Sequence, residues 1–185
     1  MADYTDIQNN SYTMDAGIPD YGDRGDYSYE ELARDRFPIR SVQPDDLNAI
    51  IRIDAKHNGH DRREYFEGKF REILNDSGIR VSLVAEVDGM VAGFIMARLD
   101  YGEYGHAEGT AIIDTLGVNP GHAKQGIGSG LLSQLLANLG AVNVESVRTN
   151  VAWTDLSLLG FLQINGFKPA QKLLLSKKLA PAKTE

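Results

Sequence analysis

A glycine-rich turn between an apolar segment and an amphipathic segment is the part of the sequence best suited to chemistry. Residues 110–118 are mostly apolar and predict a strand, and apolar residues recur at helical spacing from Ile127 to Leu139. The first amides of a helix lack partners within the helix and carry partial positive charge. Gly126 and Gly128 allow the backbone to approach a ligand closely. We therefore expect the turn to bind phosphate or pyrophosphate.

Two common nucleotide-binding motifs do not fit this turn. A P-loop needs Gly-Lys followed by Ser or Thr, and neither Gly126 nor Gly128 is followed by that sequence. A dinucleotide-binding fingerprint lies early in its domain, whereas this strand comes late and the third glycine is misplaced. The Gly-x-Gly pattern alone predicts an anion-binding turn without identifying the anion.

The residues on either side of the turn make the pattern more specific. The Val-x-Pro of residues 118–120 and the Gly-x-Gly of residues 126–128 resemble the acetyl-CoA-binding motif of the GNAT N-acetyltransferase superfamily. Asn-Gly-Phe at residues 165–167 is similar to the Gly-Phe that ends the last helix of that family. The resemblance covers residues 37–179. It departs from the family motif at Ala123, where a Gln or Arg is usual.

The resemblance implies where acetyl-CoA binds. In that family two parallel strands splay apart at a bulge and the pantetheine arm lies in the opening, and here these strands would be residues 110–118 and 144–151. The exposed backbone of residues 116–118 would pair with the pantetheine amides. Lys124 and Gln125 would partly replace the polar contact missing at Ala123. The implied cofactor-binding residues are Leu116, Gly117, Val118, Ala123, Lys124, Gln125, Gly126, Ile127, Gly128, Ser129 and Asp155.

Acetyl transfer to an amine needs a base to remove a proton from the acceptor. Asp114 is the first candidate, because it is an acid within an apolar strand and similar proteins often carry Glu or Asp at this position. The alternative is a structural Asp that is hydrogen-bonded to a neighbouring loop. Glu108, at the beginning of the same strand, is the second candidate, and its alternative is a solvated loop acid.

The general acid has no obvious candidate. Many GNAT enzymes carry a Tyr four residues before the Gly of Gly-Phe, and here that position is Leu162. Either solvent or another group, such as Tyr101 or Tyr104 in the preceding polar loop, would protonate the departing thiolate.

Composition and charge divide the chain into unequal parts. The 185 residues have a net charge of −7, of which −6 belongs to residues 1–36 and only −1 to the remainder. We expect an acidic, Tyr-rich leader over 1–36, either flexible or packed on a partner subunit, an N-acetyltransferase domain over 37–180, and a tail over 181–185. No basic face suggests nucleic acid, and no apolar run approaches the ~20 residues of a membrane span. A cytoplasmic protein is expected, since the N-terminus does not resemble a signal peptide.

The order of predicted elements indicates an α/β fold. Hydrophobic periodicity and turn residues predict a GNAT-like sandwich, with a mixed, mostly antiparallel sheet of six to seven strands flanked by about four helices. The predicted strands lie at 38–42, 81–87, 91–99, 110–118, 144–151 and 171–179. Trp153 is expected to pack in the core at the edge of the sheet.

We interpret the sequence as that of an enzyme that transfers acetyl from acetyl-CoA directly to an amine of an unidentified acceptor. No covalent acyl-enzyme is expected on a cysteine, because the chain has none. The alternative is a non-catalytic acyl-CoA-binding regulatory module with the same fold. No metal site is expected, because His57 and His60 lack a clear third ligand. A homodimer is a family-level expectation.

Overall fold

The computed structural model describes residues 36–75, 81–100, 109–170 and 175–177. The elements, in chain order, are β1 (Ile39–Ser41), α1 (Leu47–Asn58), α2 (Arg63–Asn75), β2 (Leu83–Val87), β3 (Met90–Asp100), β4 (Thr110–Val118), α3 (Ile127–Ala141), β5 (Ser146–Thr149) and α4 (Leu156–Ile164). Short 3₁₀ turns at Pro44–Asp46 and Pro120–His122 precede α1 and follow β4. The four predicted helices are all present.

The strands form one mixed sheet in the order β1-β2-β3-β4-β5. Every neighbouring pair is antiparallel except β4 and β5, which are parallel and are joined by α3. The α/β sandwich with a mostly antiparallel sheet is therefore confirmed, whereas the described residues form five strands rather than six or seven. The predicted strand at 171–179 is described only at 175–177, which are not in a strand.

Helices cover both faces of the sheet. On one face, α3 packs its leucines on small and branched residues of β2, β3 and β4; the buried residues of this core include Ala92, Ile95, Ala111, Ile113, Ile127, Leu131, Leu132, Leu135 and Leu139. On the other face, α1 and α2 pack on β2 and β3; their core includes Ile50, Ile51, Ile53, Phe66, Phe70, Val84, Phe94 and Met96. Two helical layers around one sheet bury the apolar side chains that periodicity predicts.

Close packing between α3 and the sheet depends on Gly93 in β3. A Cβ atom at this position would lie 2.8 Å from Cγ2 of Ile127 and 3.2 Å from Cδ1 of Leu131. Because Ile127 is the first residue of α3, the missing side chain at position 93 determines how closely that end of the helix approaches the sheet.

A β-bulge interrupts β4 at Asp114. Ala97 of β3 pairs with Ile113, and the adjacent β3 residue Met96 pairs with Thr115. Asp114 is therefore an extra residue that has no partner on β3.

The bulge changes which side chains of β4 face α3. Before it, Ala111 and Ile113 belong to the core beneath α3, whereas after it Leu116 and Val118 do. An extra residue shifts the alternation of side chains by one position and bends the strand. Asp114 consequently lies on the opposite face, beneath α2.

No helix among the described residues is long and apolar enough to cross a membrane.

Candidate active site

The pairing between β4 and β5 ends immediately before the bulge. Their parallel pairing extends from Thr110 and Ser146 to Ile113 and Thr149, and the Thr149 hydroxyl donates to the Ile113 carbonyl at 3.1 Å. Over the described residues beyond this point, β4 is paired only with β3. Among the described residues, the pairing ends where the predicted opening begins, and from there one backbone edge of β4 has no partner strand.

The acidic side chain at the bulge is held by two cations. Lys69 of α2 lies 2.9 Å from Oδ2 of Asp114, and Nε of Arg98 donates to Oδ1 at 3.2 Å. The Asp114 side chain is 15% exposed. Burial, the largest single effect, would lower the pKa of Lys69, but the hydrogen bonds to Asp114 and Glu72 and the negative charges of these two residues together outweigh burial and raise that pKa. Lys69 therefore remains a cation at neutral pH.

A second ion pair lies on the same face of the sheet as Asp114. Asp54 of α1 is buried, and its Oδ2 accepts a hydrogen bond from Nε of Arg62 at 2.8 Å. Arg62 lies over the ring of Tyr65, with its guanidinium carbon 5.1 Å from the ring centroid. Burial, followed by the negative charge of Asp114, raises the pKa of Tyr65. The phenol therefore stays protonated at neutral pH beside this carboxylate.

The turn before α3 has the geometry of an anion-binding site. Gly126 has a φ of +89°, which favours glycine, and a Cβ atom there would meet nothing within 4 Å. Gly126 supplies no side-chain cap to α3, so the first amides of the helix are left for a ligand. The space in front of the turn and its free donors fit a phosphate group.

The side chains of the predicted cofactor-binding residues have different surroundings. Ala123, Lys124 and Gln125 are exposed, whereas Ile127 is buried in the core beneath α3. A Cβ atom on Gly128 would lie 3.5 Å from the ring of Phe161, which is ordinary contact. Ile127 can therefore offer a ligand only its backbone.

The C-terminal end of α1 is attached to the end of β4. Nε2 of His57 donates to the Val118 carbonyl at 2.6 Å, and Nζ of Lys56 donates to Oδ1 of Asn119 at 3.1 Å. This direction of the hydrogen bond requires a proton on Nε2 of His57, because a carbonyl only accepts. Sequence analysis gave His57 no partner, since the contact joins residues 61 positions apart.

Several other predicted residues have structural partners or fall outside the described ranges. Asp155 is the N-cap of α4, where its Oδ1 accepts from the Leu158 amide at 3.0 Å, and its binding role stays a prediction. Leu162, at the family's Tyr position, is 6% exposed and part of the core. Glu108, Tyr101 and Tyr104 lie outside the described residues.

The prediction that Trp153 packs in the core is wrong. Trp153 is 89% exposed, and Leu156 nearby is 76% exposed. Trp153 lies in the connection between β5 and α4, beyond the last paired residue of β5, so no described strand covers it.

The structure adds three side chains around Asp114 that sequence analysis missed, namely Tyr65, Lys69 and Arg98. The charge of Arg98 in an otherwise apolar strand was the one available signal. Its position opposite Asp114 depends on the strand register and the bulge, and neither is visible in the sequence. Among the described residues, no cluster of three His, Cys, Asp or Glu side chains could hold a metal ion.

The fold resembles several solved structures. A transcriptional regulator from Bacillus halodurans C-125 has a TM-score of 0.67 at 18% identity, and the match covers 77% of this chain and 100% of the other. An aminoglycoside acetyltransferase from an uncultured soil metagenomic sample, in complex with sisomicin, has a TM-score of 0.64 at 18% identity, with 79% and 98% covered. The aminoglycoside N-acetyltransferase AAC(6')-Iy in complex with CoA has a TM-score of 0.65 at 16% identity, with 78% and 96% covered. Likeness at this level of identity shows a common fold.

The family is identified from the sequence. The profile of the acetyltransferase (GNAT) family matches residues 43–167, which extend from just before α1 to just beyond α4. This range is more than half of the chain and contains the bulge, the parallel strands β4 and β5, and the glycine turn. The chain belongs to the acetyltransferase (GNAT) family.

Proposed function

We propose that this protein transfers an acetyl group from acetyl-CoA directly to an amine. The observation that carries the proposal is the end of the pairing between β4 and β5 at Ile113, together with the uncapped start of α3. One strand edge and one anion-binding turn lie at the two ends of the same short segment, residues 114–127. This pairing of features suits a ligand that has both amide groups and a pyrophosphate.

The backbone performs most of the cofactor binding in this proposal. The backbone edge of residues 116–118 would pair with amide groups of the ligand as a neighbouring strand does, through groups other than the Val118 carbonyl, which already accepts from His57. The amides from Gly126 to Ser129 would hold the pyrophosphate, and Lys124 would add a positive charge at the surface. Acetyl-CoA, when bound, supplies the acetyl group as a thioester. Ala123 removes no backbone donor, so the family's usual Gln or Arg is not essential for this arrangement.

Asp114 is the proposed base. Each of its oxygens has a cationic partner, yet an ionised carboxylate has about four acceptor positions, so a further hydrogen bond to an acceptor amine is available. Asp114 would accept the proton that the amine loses, either directly or through one water molecule. The paired cations Lys69 and Arg98 fix the orientation of the Asp114 side chain.

Calorimetric titration with acetyl-CoA tests the cofactor site, with NAD as the control ligand. We expect the wild-type protein to bind acetyl-CoA alone, and Gly126→Asp to abolish binding, because it adds bulk and negative charge where the pyrophosphate lies. Gly89→Asp is the matched control: Gly89 also has a positive φ, of +73°, and open space around it, but it lies in the turn between β2 and β3. Equal loss of affinity in both variants would mean that the turn before α3 is not the site.

A non-catalytic acyl-CoA-binding module is the alternative, and two observations favour it. Both oxygens of Asp114 are paired with cations, and the family's usual Tyr is the buried Leu162. Thiol release with a panel of amines distinguishes the two functions. For an enzyme, Asp114→Asn lowers kcat by about 100-fold or more while acetyl-CoA affinity changes little. If the wild-type protein binds acetyl-CoA but releases thiol no faster than Asp114→Asn does, the protein is the non-catalytic module.

A further inference from the structure

Two arginines lie in one row across three strands of the sheet. Arg98 of β3 pairs with Ile112 of β4, and Ile112 pairs with Arg148 of β5. Directly paired residues in adjacent strands project to the same face of a sheet. Arg98 contacts Asp114 together with Lys69 of α2, so this face is the one that α2 covers.

The neighbour of Arg148 confirms this direction. Val147 packs in the core beneath α3, so the next residue, Arg148, projects to the opposite face. Arg148 is exposed, and the Arg98 side chain is 53% exposed. Both guanidinium groups are therefore open to a ligand that approaches Asp114.

The described carboxylates on this face are already paired. Asp54 is bound by Arg62, Asp114 by Lys69 and Arg98, and Glu72 by Lys69 at 3.3 Å. Arg148 makes no ion pair or side-chain hydrogen bond with any residue in the described part of the chain. Among these described groups, Arg148 therefore carries the one positive charge that no described carboxylate balances.

The spacing of these groups defines the ligand. Adjacent strands lie about 4.8 Å apart, so the backbones of Arg98 and Arg148 are roughly 10 Å apart with Ile112 between them. Along β4, Ile112 and Asp114 are two residues and therefore roughly 7 Å apart. An anion between the two guanidinium groups would lie roughly 7 Å from an amine at Asp114, which is the extended length of a chain of about six bonds.

We propose that the acceptor carries a carboxylate several bonds from its reactive amine, and that Arg98 and Arg148 bind this carboxylate. The inference rests on the proposed acetyl transfer and adds the class of acceptor. A polycationic amine would be repelled by the same arginines. Arginine suits this role because its planar fork binds a carboxylate through two parallel hydrogen bonds.

A matched pair of acceptors tests the proposal. The amine 6-aminohexanoate has a carboxylate about six bonds from its nitrogen, and 6-aminohexanamide is its neutral counterpart of nearly the same shape. With saturating acetyl-CoA and the full-length protein, we expect kcat/KM to be at least about tenfold higher for the acid, with the difference mainly in KM. Arg148→Gln should reduce this preference by about tenfold. Arg71→Gln, at an exposed position on α2, should retain it.

A second measurement does not depend on turnover. The products 6-acetamidohexanoate and 6-acetamidohexanamide are titrated into the protein in the presence of CoA, and we expect the acid to bind about tenfold more tightly, with the preference lost in Arg148→Gln. The inference would be overturned if the acid and the amide had equal kcat/KM as acceptors or equal affinity as products. It would also be overturned if Arg148→Gln and Arg71→Gln changed the preference for the acid equally. Acetyl-CoA binding and thiol release without such a preference would leave the proposed function standing. Failure to bind acetyl-CoA would refute that function. The titration with the acid and the amide would then test only whether the arginines bind a carboxylate.

Discussion

Replacing Gly93 with Ala would press the sheet against the beginning of α3. The new Cβ atom would lie 2.8 Å from Cγ2 of Ile127, 3.2 Å from Cδ1 of Leu131 and 3.3 Å from the carbonyl oxygen of Gly117. Non-bonded carbon atoms prefer about 3.5–4.0 Å, so Ile127 would have to withdraw by roughly 0.7 Å. Gly117 belongs to the backbone of β4 and leaves the new methyl group little room to move the other way.

This displacement would affect both stability and binding. Overpacking of a well-packed core costs about 1–3 kcal/mol, and we expect the free energy of unfolding to fall by that amount. Because Ile127 is the first residue of α3, the same shift would move the glycine turn relative to β4. We therefore expect acetyl-CoA affinity to fall by about tenfold as well.

Urea unfolding followed by circular dichroism, with calorimetric titration of acetyl-CoA, measures the two effects. Gly68→Ala is the matched control, since Gly68 is inside α2 and a Cβ atom there would meet nothing within 4 Å. That variant should be more stable than wild type by about 0.5–1 kcal/mol, because alanine favours a helix interior. A Gly93→Ala protein as stable as wild type would refute the packing argument. Lower stability with unchanged affinity would refute the connection to the turn.

Two further predictions concern polar contacts that hold the sheet and its turns. Burial, the largest single effect, would raise the pKa of Asp46, but the hydrogen bonds from Arg40 and the Gln43 amide and the positive charge of Arg40 together outweigh it and lower that pKa. Asp46→Asn should therefore cost about 1–3 kcal/mol at pH 7. A lowered pKa contributes its full stability only above the pKa of the unfolded state, near 3.8. The difference in free energy of unfolding between Asp46→Asn and wild type, measured in urea, should therefore narrow below about pH 4. A difference that stays constant with pH would contradict this assignment. Thr149→Val should lower the free energy of unfolding by about 1 kcal/mol, because the Ile113 carbonyl loses its donor, and an unchanged urea midpoint would contradict this.

The sequence predicted correctly the features that depend only on residues close together in the chain. The strand at Thr110–Val118 has the predicted bounds, because its apolar run is followed directly by Asn119-Pro120. A cap by Thr154 or Asp155 is expected from the sequence before the short helix, and Asp155 is the residue that caps it, since a side chain that accepts from an amide three residues away is a local contact. Contacts within a few residues of each other leave a readable pattern.

Contacts between elements were not readable in this way. The pair formed by Arg98 and Asp114 depends on a register that includes an extra residue in β4, and a single acid within an apolar strand does not indicate a bulge. The contact between His57 and the Val118 carbonyl needs the relative position of a helix and a strand. The exposure of Trp153 likewise depends on which strand ends beside it, and not on its own hydrophobicity.

The bulge at Asp114 has a consequence for how related proteins can lose activity. If Asp114 were deleted, Ile113 would still face α3, Thr115 would take the opposite face, and Leu116 and Val118 would face α3 again, so every core contact of β4 would be preserved. The ladder with β3 would become regular, and β4 would be free to continue its pairing with β5 across the opening. The loss of one codon in frame would thus remove the proposed base and close the proposed opening for the cofactor in a protein that still folds. Selection for folding alone would therefore not preserve the bulge.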